Sequence, residues 1–402
     1  MRQHLRWSDF PLEEYEHRVA KATSLMEEQG IDALLVTRQE ENLRYLTGYK
    51  SCMCASKFRP QVALIPRDSS KTAALILSGR EGINAEASWI EDVVFFNEKQ
   101  AITEQIAEVI RAREFDKATI ATELGFGQRL GMSLDQFESL RGLLPDVQWV
   151  DISPVISKLR MIKSPAEIEM VRRACQLTCQ GIRAGWEALH EGMSECELAA
   201  VMCSTMIARG ADFDMDFIAI NAGRERHKAL NSRPTNYCIA KGDLVMFDGG
   251  CHYHGYMCDT IRHAHVGPPT PEQKKWFEIV IEANKAATSA IKPGVSTGDI
   301  FRMVHEVFEK AGLASYTSCI PVIGHGVGLE IHEEPTVSAP RILDRQEQEL
   351  QSGMVLAIEP AIAGMGGDDW PEGFIIVENV VAVTDTGHEL LTDELTCDLW
   401  IV

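Results

Sequence analysis

The sequence predicts two domains, an α/β layered domain followed by a longer mixed domain, joined near residue 160. Three observations predict this. Short apolar runs alternate with helical patterns over the first ~150 residues, as in α/β layers. A strong helix-start signal follows at residues 164–167. Beyond it, helices give way to apolar, glycine-punctuated strand patterns. A chain of 402 residues also fits two or three domains at roughly 150 residues each.

Residues 12–30 carry apolar positions at helical spacing and stop at Gly30. The apolar run 31–37 reads as a buried strand, as do 62–66, 73–77 and 118–121, while 101–113 reads as a helix. At the boundary, Ser164 is placed to cap a helix. Pro165 suits its first position, and Glu167 completes a capping box. That helix should run to about Leu189, with further helices near 194–209 and 271–291. No internal repeat or low-complexity linker stands out. The simplest partition is 1–160 and 161–402.

Charge and cysteine usage narrow the function classes. The chain holds 39 Lys and Arg against 59 Asp and Glu, a formal charge of −20. That balance argues against a nucleic-acid backbone or an anionic membrane as the main partner. No run approaches the ~18 apolar residues of a membrane span, and the first residues lack a secretory h-region. The 11 cysteines include no C-x-x-C pair. They read as reduced thiols in a cytoplasmic protein.

The residues that carry chemistry lie between 248 and 378. Asp248 ends the apolar run Leu244–Phe247, and Asp259 lies eleven residues later beyond a glycine-rich turn. A hairpin of this kind brings two carboxylates side by side, which requires a cation between them. In the stretch from Gly324 to Pro335, three glycines flank His325 and let backbone approach closely. Glu359 ends the apolar strand that follows Gly353, and Glu378 is embedded in Ile375–Ile376–Val377 and Val380–Val381.

Taken singly, each has a bland reading: a turn aspartate, a core histidine. Together they do not, because several buried acids without a counter-ion repel one another. Oxygen ligands with one imidazole and no cysteine suit Mn²⁺, Co²⁺, Fe²⁺ or Zn²⁺. Four carboxylates neutralise two divalent ions. Such a pair clamps a bridging hydroxide and polarises a carbonyl. His252, His254, His263 and His265 surround the Asp248–Asp259 hairpin, either facing substrate or simply sharing strand faces.

These motifs resemble the superfamily of methionine aminopeptidase, proline aminopeptidase, prolidase and creatinase. Asp248 to Asp259 is similar to its D-x-G-x-x-x-x-G-Y-x-S-D pattern, with Cys258 in place of serine. Gly324 to Pro335 is similar to G-H-G-x-G-x-x-x-H-E-x-P, and Gly353 to Pro360 to G-M-x-x-x-I-E-P. Residues 30–49 resemble the creatinase/prolidase N-terminal domain, and 159–168 its L-R-x-x-K-S-x-x-E-I linker.

The resemblance implies an α/β N-terminal domain and an α+β pita-bread catalytic domain, usually as a homodimer. It implies Asp248, Asp259, His325, Glu359 and Glu378 as ligands of two divalent ions, manganese first, with Asp259 and Glu378 bridging. Glu359 would act as general base, and His332 would hydrogen-bond the substrate carbonyl.

The implied activity is hydrolysis of an N-terminal residue or dipeptide, often before proline. Two positions depart from the peptidase pattern. Asn231 stands where a histidine is usual, with His227 four residues out of register, and Ile376 stands where an arginine is usual. Asn231 is then a substrate-binding candidate, and Arg262 or Arg233 a substitute cation. The departures keep open a creatinase-like or ectoine-hydrolase-like enzyme acting on a small non-peptide C–N bond. A catalytically inactive binding module is the third reading.

Overall fold

The structure is a computed structural model. It describes all residues except 3, 38–39, 56–59, 97–98, 214, 216, 231, 314–320, 340–346 and 364–372. The chain forms two compact units, Met1–Leu159 and Arg160–Val402.

The first unit contains α1 (Leu12–Gln29), β1 (Ala33–Thr37), α2 (Glu40–Thr47), β2 (Val62–Pro66) and β3 (Ala74–Ser78). It continues through β4 (Asp92–Phe96), α3 (Ile102–Ala112), β5 (Thr119–Thr122), α4 (Leu134–Leu143) and β6 (Gln148–Asp151). The strands form a six-stranded mixed sheet in the order β4-β3-β2-β1-β5-β6. Ala33, Leu35, Val62, Leu64 and Ile76 face Ile106, Ile110 and Leu140 of α3 and α4. The alternate residues Leu34, Val36, Ile65 and Leu75 are buried as well. Both faces of the sheet are therefore covered, which is why its strands read as unbroken apolar runs. Gly30 closes α1 at φ 66°, a left-handed conformation that favours glycine.

Helix α5 (Ser153–Met161) leads into the second unit. There α6 (Pro165–Ala188) starts on the expected capping box. Ser164 Oγ accepts from Glu167 N at 3.2 Å, and Glu167 Oε2 accepts from Ser164 N at 2.9 Å. After it come α7 (Glu195–Ala208), β7 (Ile218–Ala222), β8 (Leu244–Gly249), β9 (His252–Tyr253), β10 (Tyr256–Met257) and β11 (Thr260–His265). Then follow α8 (Pro271–Ala290), α9 (Thr297–Lys310), β12 (Val322–Gly326), β13 (Glu333–Ser338) and β14 (Val355–Ile358). The last strands are β15 (Ala361–Ala363), β16 (Phe374–Ile376), β17 (Asn379–Val383), β18 (His388–Leu390) and β19 (Trp400–Ile401).

Two larger sheets result, β19-β11-β8-β7 and β13-β12-β14-β17-β18. Helices α6 and α7 bury Leu177, Trp186 and Met202 against Ile220, Val245, Phe247 and Ala264 of the first. Helices α8 and α9 bury Phe277, Val280, Ile300 and Val304 against Ile323, Leu356 and Val381 of the second. A helix pair on a sheet thus occurs twice, although no repeat is visible in the sequence. Burial works by side-chain shape and hydropathy, which many sequences satisfy. Among the described residues no helix is long and apolar enough to cross a membrane.

Candidate metal centre

Strand periodicity decides which side chains turn away from the helices. On β8, Val245 and Phe247 pack under the helices, so Met246 and Asp248 point to the opposite face. On β16 and the residues after it, Ile375 and Val377 join the helix-side core, so Ile376 and Glu378 point away. Met246, Ile261, Ala361 and Ile376 meet there as a small apolar cluster, and the acids lie on the same faces.

The expected hairpin forms with an added turn. Strands β8 and β11 pair antiparallel, with Asp248 opposite Ile261 and Gly249 opposite Thr260. Asp259 lies two residues before Ile261, on the same face as Asp248. The short β9–β10 hairpin fills the interval. Gly250 is required at its base, because a Cβ there would meet Cys258 O at 2.2 Å. His325 sits in β12 between Thr336 and Ala357. Its neighbour Gly326 admits Glu334 O where a Cβ would lie 2.3 Å from it.

These elements bring Asp248, Asp259, His325, Glu359 and Glu378 together. Ligand atoms of His325, Glu359 and Glu378 lie within 4.8 Å of one another, as do those of Asp248, Asp259 and Glu378. His325 Nε2 is 3.6 Å from Asp259 Oδ2, 3.6 Å from Glu359 Oε1 and 3.9 Å from Glu378 Oε1. Those separations exceed hydrogen-bond distance. His325 Nδ1 lies 3.0 Å from Gly326 O, which can only accept, so the ring proton belongs on Nδ1. The Nε2 lone pair then faces the acids.

The electrostatics suit a cation. Burial pushes the carboxyls of Asp248, Asp259, Glu359 and Glu378 above the usual carboxylate range, and their mutual repulsion adds to the rise at Asp259, Glu359 and Glu378. Burial also lowers His325, to about 3, and so keeps its imidazole neutral. Asp259 Oδ1 and both carboxylate oxygens of Glu378 are buried without a hydrogen-bond partner among the described residues. Orphaned buried carboxylate oxygens are costly unless a cation meets them. The donor set of carboxylates and one imidazole is the kind that holds divalent metal. These residues therefore fit a divalent metal ion.

The site is open on one side. Glu359 has 24% of its side chain exposed, against 1% for Glu378. His332 is exposed at the rim, its ring 4.3 Å from that of His325.

Of the other candidates, Asn231 lies outside the described residues, as does the glycine-rich loop 364–370. Arg262 does not face a substrate. It is 2% exposed, on the helix-side face of β11, and its guanidinium donates to the carbonyls of Glu378 and Thr396 and to Asn379 Oδ1. The expectation of a substrate-binding role is corrected by this geometry, because strand alternation turns residue 262 away from residues 259, 261 and 263. His263 and His265 are buried and bond to Ile376 O and Gly267 O, so they belong to the fold. His227 is buried with its ring 5.3 Å from that of His263. The described cysteines are free thiols, and burial raises Cys258, beside Asp259, well above the ordinary thiol range.

Three supporting residues carry no motif in the sequence. Asn284, Asn379 and Glu195 are all buried. Asn284 had one legible signal, a polar residue within the apolar stripe Phe277–Val280–Ala287.

Comparison with known proteins agrees with this site. The profile of metallopeptidase family M24 matches residues 169–385, and that of the creatinase/prolidase N-terminal domain matches residues 18–162. The Xaa-Pro dipeptidase of Pyrococcus furiosus is 36% identical over 60% of this chain and 66% of its own length. That of Pyrococcus horikoshii is 28% identical over 93% of this chain and 96% of its own. A crystal structure of prolidase from Thermococcus sibiricus superposes with a TM-score of 0.83 at 27% identity, over 96% of this chain and 99% of that one. The chain is thus an enzyme of metallopeptidase family M24, a metal-dependent peptidase with a creatinase/prolidase N-terminal domain ahead of the pita-bread domain.

Proposed function

We propose that this enzyme is an exopeptidase of the Xaa-Pro dipeptidase or aminopeptidase type, using two divalent ions, manganese first. The observation that carries the reading is the convergence of His325 Nε2 with carboxylates whose buried oxygens lack partners. Asp248, Asp259, His325, Glu359 and Glu378 would hold the ions. When bound, such ions supply Lewis acidity toward a carbonyl and lower the pKa of water.

The chain's own groups do the rest. Glu359, partly exposed and held above the usual carboxylate range, accepts a proton from the attacking water on its carboxylate and returns it to the leaving amine. His332, at the rim, donates a hydrogen bond to the scissile carbonyl oxygen as charge develops there. Asn231 contributes to substrate binding. The domain boundary falls at residues 160 and 161, and the active form is a cytoplasmic homodimer. Free thiols suit that compartment.

One observation favours a second reading, hydrolysis of a small non-peptide C–N bond. Ile376 packs with Met246 and Ile261 on the face it shares with Glu378, so that wall is apolar. The test is metal analysis of the purified protein followed by assay of Xaa-Pro dipeptides against cyclic amidines. Two ions per chain with cleavage of the dipeptides alone supports the first reading. Cleavage of amidines alone, or full activity without metal, replaces it with the second.

A further inference from the structure

We infer that Asn284 of α8 is a positioning residue that locks the two glutamate ligands in place, an inference that rests on the metal reading above. Glu359 and Glu378 both sit where strand pairing breaks. The β14–β17 ladder ends at Ile358 opposite Asn379, and the β15–β16 ladder starts at Ala361 opposite Ile376. Between them, residues 359–360 and 377–378 have no cross-strand partner in either ladder.

Asn284 spans that break. Its Nδ2 donates to Ile358 O at 2.8 Å and to Val377 O at 2.9 Å. These are the carbonyls immediately before the two glutamates. One side-chain amide thus supplies the link that the ladders omit, and it sets the spacing between the two ligand-bearing segments.

Asn284 is itself held. Its Oδ1 accepts from Asn379 Nδ2 at 2.6 Å, which fixes which end of the amide faces the break. Asn379 Oδ1 in turn accepts from Arg262 Nη2 at 2.8 Å and Thr392 Oγ1 at 2.9 Å. Arg262 Nη1 and Thr260 Oγ1 both donate to Glu378 O. The carbonyls of Val377 and Glu378 are therefore anchored from α8 and from β11. Groups that orient metal ligands in this way commonly account for about 10- to 100-fold in metal affinity.

The test is calorimetric titration of metal-free protein with Mn²⁺, for wild type, Asn284→Ala and Asn284→Ser, at a temperature where circular dichroism shows each folded. Asn284→Ala should bind Mn²⁺ about 10- to 100-fold more weakly, and Asn284→Ser, which keeps one donor, should fall between. A purely structural role would lower the metal-free melting temperature and leave affinity unchanged. Unchanged affinity in folded Asn284→Ala overturns the inference and leaves the metal reading standing. Should that variant fail to fold, unchanged affinity in Asn284→Ser has the same force. A wild type that takes up no Mn²⁺ overturns the metal reading and this inference together.

Discussion

His325 Nε2 lies 3.6 Å from Asp259 Oδ2, beyond hydrogen-bond distance, and the imidazole N–H is turned to Gly326 O. A buried imidazole lone pair and a buried carboxyl that converge without bonding each other are an arrangement that a cation would join. Replacing Asp259 with alanine should therefore abolish metal uptake and activity together. Glu378→Gln should act with opposite signs on the two forms. The metal-free protein becomes more stable, because a desolvated and repelled buried acid is gone. The same variant loses the stabilisation that metal gives the wild type. Thermal melts with and without Mn²⁺ read both signs, and a destabilised metal-free variant would falsify the assignment of Glu378 as an uncompensated acid.

Metal uptake should release protons. The carboxyls of Asp259, Glu359 and Glu378 are raised in the metal-free protein, so some are protonated at neutral pH. A cation must displace those protons, so affinity rises with pH. Titration at pH 7 in buffers of different ionisation enthalpy measures the release. Buffer-independent heats would contradict the raised carboxyls.

Glu333, next to His332, carries the linker's two cations. Its carboxylate meets Lys163 Nζ at 2.9 Å and Arg160 Nη2, and they hold its pKa at about 2 against an ordinary 4.5. A depressed folded pKa gives stability that is present above about 4.5 and lost as pH falls toward 2. Glu333→Gln should cost about 3 kcal/mol at pH 7. The difference should shrink steadily between pH 4.5 and pH 2. Urea unfolding of both proteins across that range checks it, and a pH-independent difference refutes the pairing.

His332 is exposed at the rim, so its loss should leave stability unchanged; a ring nitrogen also lies within 4.8 Å of ligand atoms of Asp259 and His325, and metal content tells a substrate-facing role, which leaves it unchanged, from a ligand role. His332→Ala should lower kcat by roughly 10²- to 10³-fold, as for other lost oxyanion donors. Metal content, melting temperature and kcat measured on one preparation separate this from a ligand role. Loss of metal in that variant would show that His332 binds the ion.

Local signals were legible where they act over a few residues. The Gly30 stop and the Ser164–Glu167 box fall where spacing puts them, because capping joins residues about three apart. Helix α4 is harder to read, since it buries only Phe137 and Leu140. Helix α9 adds an element although Ile300, Phe301, Val304 and Phe308 form a plain helical stripe. The motif residues of the site were legible as well, because their chemistry makes no sense without a cation.

What the sequence could not reveal is which partner each long-range group meets. Arg262 looks like a spare cation beside the ligand hairpin, yet strand alternation turns it to carbonyls 116 and 134 residues away. Asn284 looks like a helix residue out of place, and only the break between two ladders gives its amide a use. The sequence by itself determined the two-domain plan, the strand and helix signals and which acids and which histidine were candidates for one site. The tertiary structure decided the direction of each side chain and the network behind the glutamates. The reason is physical: propensity and capping act within one or two turns of chain, whereas a carbonyl left open by a break in a sheet exists only once distant strands are aligned.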